Sequence, residues 1–239
     1  MNLRFIVNFA RFDGIAYVKR SPMNSLSYVA MPLALLLLIY ILSSGKLVEY
    51  AVAGGVIALM TTIAMTVTGE TAFFKLELKL QDLIVATKAD KIDYMIGMGL
   101  GNIIFAGPGL VIYGALGLFF GLFTPLNVLV TIVVLLLLVL AATSMAFFIG
   151  SFLKNTRSVW AISGILAVIF TMLPPTYYPY TILPQPMLYL LMFSPVTPAA
   201  ILLQGYYGLG PINNYMFIVL MAEAAVWLYI AKRFTRWGS

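Results

Sequence analysis

One acid stands inside the apolar part of this chain: Glu223, near the middle of the last long apolar run. A carboxylate at membrane depth is costly and marks a functional site by default, here a path lining or a proton-binding group. Burial against a hydroxyl or main-chain partner, as a structural clip, is an equal reading. An earlier apolar run carries Thr61, Thr62, Thr66 and Thr68. Thr62 and Thr66 lie four residues apart, on one helical face, and offer hydroxyls to the same path. Threonines in such helices also satisfy their own backbone or a neighbouring helix. The third chemical feature is a crowd of charges. Glu70 to Asp93 holds nine of the 22 charged residues, with the two signs nearly balanced. Other chemistries are excluded. The chain has no Cys and no His, so thiolate, histidine-base and zinc chemistry are absent. It has no G-x-x-x-x-G-K-[ST] loop and no G-x-S-x-G elbow, so it neither hydrolyses nucleotide alone nor carries a hydrolase nucleophile. No catalytic residue, metal site or resident cofactor is expected.

These residues need membrane helices to position them. Of 239 residues 62% are apolar and only 9% charged, and the mean hydropathy is +1.02. Soluble domains average roughly 25% charged residues. A span needs about 20 apolar residues, and six segments qualify: 23–43, 51–69, 94–123, 127–152, 159–173 and 212–231. The third is longer than one crossing requires and is expected to kink near Gly107-Pro108-Gly109. With the N-terminus inside, 13 of the 14 basic residues fall on the cytoplasmic side and only Lys46 outside. The net charge of +6 is therefore a record of topology, not a nucleic-acid signal. Both termini are expected in the cytoplasm. The polar stretch before the first span is too long for a cleavable leader, so that span reads as a signal anchor.

Three segments lie outside the spans. In residues 1–22, Phe5, Phe9, Phe12 and Ala16 recur at helical spacing, with Arg4, Arg11 and Lys19 off the stripe. This predicts an amphipathic helix in the cytoplasmic interface. In residues 70–93, Leu76, Leu80, Leu83 and Ile84 repeat at three to four residues, predicting a second amphipathic helix that suits a protein partner. Residues 174–211 carry no charge, eight of the 12 prolines and six of the 14 tyrosines. Met187–Phe193 is apolar but too short to cross, which predicts a re-entrant or interfacial segment. The spacings Gly97-x-x-x-Gly101 and Gly117-x-x-x-Gly121 predict close helix packing.

Two of these segments carry a family resemblance. Glu77 to Gly97, with its acid, apolar helix, short turn and Asp93-Tyr94 pair, resembles the stretch between spans two and three of type-2 ATP-binding cassette permeases. Tyr178-Pro179, Leu183-Pro184 and Ser194-Pro195-Val196-Thr197 resemble the pattern before their last span. The chain departs at Lys79, where a glycine is usual, at Lys88, where proline is common, and at Met98, where a basic residue often stands. The resemblance implies an all-α polytopic membrane protein forming a single transmembrane domain over 1–239. Its parts would be an interface helix, six spans, a cytoplasmic coupling helix between spans two and three, and a re-entrant outer segment between spans five and six. It implies an exporter permease in the plasma membrane, paired with a second permease as homodimer or heterodimer. A separate ABC ATPase subunit would bind ATP and Mg. Coupling would fall to Glu77, Asp82, Leu83, Ala86, Thr87, Lys88 and Lys91, and bracing to the interface helix with Phe5, Phe9 and Phe12. The outer gate would be built from Tyr178, Pro179, Leu183, Pro184, Ser194 and Pro195. The absence of basic residues within the spans favours hydrophobic or amphiphilic cargo such as drugs or lipids, with glycans also compatible. The competing reading is an ion- or proton-coupled carrier that uses Glu223.

Overall fold

The computed structural model describes residues 2–20, 22–87 and 89–236, and among these there is no strand. Twelve α-helices follow in order. An N-terminal segment is formed by α1 (Leu3–Ala10), a π-helical turn (Arg11–Ile15) and α2 (Ala16–Arg20). The spans begin with α3 (Pro22–Leu42) and α4 (Val48–Leu76), followed by the short α5 (Leu80–Val85). Then come α6 (Lys91–Phe105), α7 (Gly107–Phe119), α8 (Pro125–Gly150) and α9 (Thr156–Met172). A 3-10 turn (Tyr180–Ile182), α10 (Gln185–Leu191), α11 (Val196–Tyr206) and α12 (Tyr215–Phe234) complete the chain.

α4 is the axis of the bundle. In its most apolar stretch 94% of residues are buried, against 17% in α3 and 22% in α12. It packs on α3, α8, α9, α7 and α11. Peripheral helices turn Leu37, Leu42, Val111, Phe119 and Tyr229 outward, more than half exposed. Such a surface suits hydrocarbon, where exposed leucine costs nothing.

The third crossing is broken as its Gly-Pro-Gly sequence predicts. α6 and α7 meet at 53°, with Pro108 in the first turn of α7. Proline removes a helical N–H and crowds the carbonyl four residues back, which frees acceptors at the break. Ser25 Oγ of α3 donates to the Phe105 carbonyl at 2.7 Å and so satisfies one of them.

Two boundaries differ from the sequence expectation. α4 does not stop at Gly69 but continues to Leu76, so Glu70 belongs to the long helix rather than to the separate inner element. The leucine repeat after it is not one helix. Lys79 takes a left-handed conformation (φ 48°) that splits Leu76 from α5. The resembling permeases have glycine at that position, the residue that adopts positive φ without steric penalty.

The N-terminal segment docks on α6 by a face that shares Phe9 with the aromatic stripe but turns Phe12 away. Ile6, Phe9, Ala10, Asp13 and Gly14 are buried, while Phe5 is half-buried and Phe12 is 56% exposed. The receiving surface is the Gly97-x-x-x-Gly101 ridge. A Cβ on Gly97 would lie 3.1 Å from the Phe9 ring, and one on Gly101 would lie 2.8 Å from Asp13 Oδ2. The small-residue spacing thus serves contact within the chain. Gly101→Leu is expected to cost about 1–3 kcal/mol by overpacking and to pry this segment loose. Hydrogen exchange of residues 3–15 should then accelerate at least tenfold; unchanged protection would contradict the docking.

Candidate functional site

Three polar constructions are built on this frame. The first is the connection between α4 and α6. Glu77, Asp82, Leu83, Ala86 and Thr87 are exposed, with Leu83 66% exposed, while Lys91 is half-buried. Lys88 lies outside the described residues. Gln81 and Ile84 point the other way and are buried; Gln81 Nε2 donates to the Arg236 carbonyl at 3.4 Å. The result is a short helix with one face held to the bundle and the other presented to solvent. Asp90 and Asp93 cap α6 reciprocally: Lys91 N donates to Asp90 Oδ1 (2.7 Å), and Asp90 N donates to Asp93 Oδ2 (3.3 Å). Tyr94 stands between Phe9 (4.9 Å between ring centroids) and Phe147 (5.8 Å). The Asp93-Tyr94 pair therefore fixes the start of α6 and ties the N-terminal segment to α8.

The second is the uncharged segment at the other end. α10 and α11 form a helical hairpin bent by 117°. Ser194 Oγ accepts from Val196 N (3.3 Å) and Thr197 Oγ1 donates to the Leu191 carbonyl (2.6 Å), so Ser-Pro-Val-Thr builds the joint. Ser194 and Pro195 are buried, Tyr178, Pro179 and Leu183 half-buried, and Pro184 exposed. Gln204, only 2% exposed, gathers the loop: its Nε2 donates to the carbonyls of Pro175 (2.7 Å) and Tyr178 (3.0 Å), and its Oε1 accepts from Tyr180 N (3.2 Å). Tyr50 Oη of α4 donates to the Leu209 carbonyl and closes the segment over the axis.

The third is a cavity of about 330 Å³ at the charged end, between the N-terminal segment, α3, α4, α6 and α9. Asp13 and Glu70 both line it, with Tyr17, Tyr28, Asn102 and Trp160. Thr66 also belongs to this wall; its Oγ1 donates to the Ile63 carbonyl at 2.7 Å and lies 3.3 Å from Glu70 Oε1. Asn102 Nδ2 donates to the same Ile63 carbonyl at 3.2 Å. Ser163 Oγ of α9 bridges the Met65 carbonyl (2.9 Å) and Gly69 N (3.0 Å) one turn further on. Asp13 is 5% exposed, and burial pushes its carboxyl up to about 7. The same desolvation raises the Tyr17 hydroxyl above its usual range, with Glu70 and Asp13 adding to the effect.

Thr62 is half-buried on α4 and does not line this cavity. Glu223 is elsewhere. It lies in an elongated apolar groove of about 660 Å³ among Phe148 of α8, Met192 and Phe193 after α10, and Tyr215 and Trp227 of α12. Both its carboxylate oxygens are buried without a hydrogen-bond partner among the described residues. The residues read from the sequence as one path are thus divided between two sites. Sequence reasoning passed over Asp13, Glu70, Asn102 and Trp160. Asp13 is an acid on the Ile6–Phe9–Ala10 face of an otherwise basic segment, and Glu70 follows Thr66 by one turn in an unbroken apolar run; both signals were there to find.

The helical bundle, its lipid-facing apolar surface and the 4 to 6 helices or bent helix pairs able to cross a bilayer define a multi-pass membrane protein. The chain belongs to the ABC-2 type transporter family, whose model it matches over residues 12–207, from within the π-helical turn to the end of α11. No curated protein matches the chain. Members of this family are permeases that work with an ABC ATPase subunit and are not themselves catalytic.

Replacing Gln204 by Leu removes three hydrogen bonds and leaves buried main-chain groups unpaired, at a cost of about 2–4 kcal/mol. The midpoint of denaturant unfolding in mild detergent should fall accordingly, and an unchanged midpoint would show that Gln204 does not hold the segment.

Proposed function

We propose that this permease is half of an ATP-driven exporter of the plasma membrane. It pairs with a second permease, identical or related, and a separate ATPase subunit binds ATP and Mg beneath the pair. Cargo moves out of the cytoplasm, and both chain termini lie inside. The observation that carries the reading is the outward face of Glu77, Asp82, Leu83, Ala86 and Thr87, placed between the axial helix α4 and the capped start of α6. A cleft on an ATPase that grips Leu83 would pull on both helices. The docked N-terminal segment, with Phe9 against Tyr94, braces the start of α6 against that pull. The Tyr178–Pro195 segment serves as the outer lid. Hydrophobic or amphiphilic cargo, whether drug, lipid or glycan-bearing, is favoured because lysine and arginine stay at the helix ends.

A carrier driven through Glu223 is the competing reading, supported by the two unpartnered oxygens of that residue. Purification of the intact chain in mild detergent is expected to recover a soluble ATPase at equal stoichiometry. Leu83→Asp, at an exposed position, should lower that recovery at least tenfold while leaving membrane insertion unchanged. Charge reversal at Asp82 or Lys91 should uncouple transport in the same way. Glu223→Gln should leave transport dependent on ATP. Transport that follows an ion gradient, with no ATPase recovered, would replace the exporter with the carrier.

A further inference from the structure

The cavity at the charged end combines two acids with aromatic walls. Among the described residues no lysine or arginine side chain lines it and no hydrogen bond reaches the Asp13 carboxylate. Asp13 is nevertheless 5% exposed, and Glu70 Oε2 is sealed from solvent without a partner. Two carboxyl groups desolvated side by side repel when ionised, and each gains from a positive group placed between them. The walls select the kind of cation. The Phe105 ring stands edge-on to Tyr28 (5.6 Å between centroids) and to Tyr17 (6.4 Å), and Trp160 of α9 adds an indole. Aromatic faces attract weakly hydrated organic cations. A small hard metal ion needs more oxygen ligands, and no group of three or more metal-ligating side chains occurs among the described residues. The volume, about 330 Å³, is at the lower end of the roughly 300–1,000 Å³ of small-molecule sites, enough for a headgroup rather than a whole amphiphile.

We infer that this cavity binds an organic ammonium group, with Asp13 and Glu70 supplying the charge and Tyr17, Tyr28, Phe105 and Trp160 the aromatic contact. As a cargo site it rests on the export reading above; the binding itself does not. The cavity lies where an amphiphile in the leaflet at the charged end would meet the bundle, with exposed Asn24 and Ser27 of α3 at its rim. The ammonium belongs either to cargo or to a lipid headgroup.

The test uses the intact chain in a nonionic maltoside detergent and benzyltrimethylammonium as probe, measured by equilibrium dialysis. Saturable binding of one probe per chain is expected. Glu70→Gln and Asp13→Asn, which preserve shape, should each weaken it at least tenfold. Ser27→Lys tethers a competing ammonium at the exposed rim without disturbing a buried group, and should abolish probe binding. The uncharged carbon isostere of the probe should bind at least tenfold more weakly. Phosphatidylcholine added to the micelles should compete if the source is a lipid headgroup, and phosphatidylglycerol should not; the absence of competition points to cargo, and either result upholds an ammonium site. Three results would overturn the proposal: no saturable binding to the wild type, equal affinity in all three variants, or displacement of the probe by sodium at equal concentration. A chain that still recruits its ATPase and exports, yet fails to bind the probe, would sink the cavity site and leave the exporter standing.

Discussion

The turn of α4 from Ile63 to Glu70 is the point on which the bundle depends. A helix enclosed by other helices meets no water, so a hydrogen bond from a neighbouring side chain fixes that neighbour's position there. Two neighbours make such bonds within two turns. Asn102 of α6 binds the Ile63 carbonyl, and Ser163 of α9 takes both the Met65 carbonyl and the Gly69 amide. Van der Waals contact alone discriminates little between apolar helices in lipid. These directional bonds give α6 and α9 a register on the axis, and Ser25 ties α3 to α6 at the broken crossing.

The two ends of the bundle are made by different means. At the charged end the chain folds back on itself through glycine ridges, stacked rings and a reciprocal acid cap. At the opposite end a glutamine gathers two carbonyls and an amide of a proline-rich loop that makes few hydrogen bonds of its own. Prolines deprive that loop of donors, which leaves Gln204 unusually valuable there.

Much of the architecture was legible because hydropathy and charge report directly on depth and side. The long apolar helices α3, α4, α8 and α12, the kink at Pro108 and the short outer hairpin all followed from run lengths and prolines. The inner boundary of α4 was not legible, because a single Glu70 after an apolar run reads as an exit from the membrane when helical continuity is unseen. The face of the N-terminal segment was misjudged for a related reason. Four aromatic or small residues at helical spacing outweigh one aspartate in any periodicity argument, yet Ile6, Phe9 and Asp13 met the glycines of α6 and Phe12 did not. The acid cavity needed five separate segments to come together, and no local pattern encodes that. The exposed face around α5 was easier, since its residues lie close together in the chain.

α4 runs for 29 residues without a break, about 43 Å at 1.5 Å per residue, while the hydrocarbon core is roughly 30 Å thick. Its surplus turns stand out at the charged end and lead, through Lys79, to α5. Anything that displaces α5 therefore moves the most enclosed helix of the protein rather than one at the rim. An enclosed helix has no slack in which to bend, so the displacement is shared by all of its neighbours at once. The short helix α5 is thus tied to the whole bundle rather than to its rim.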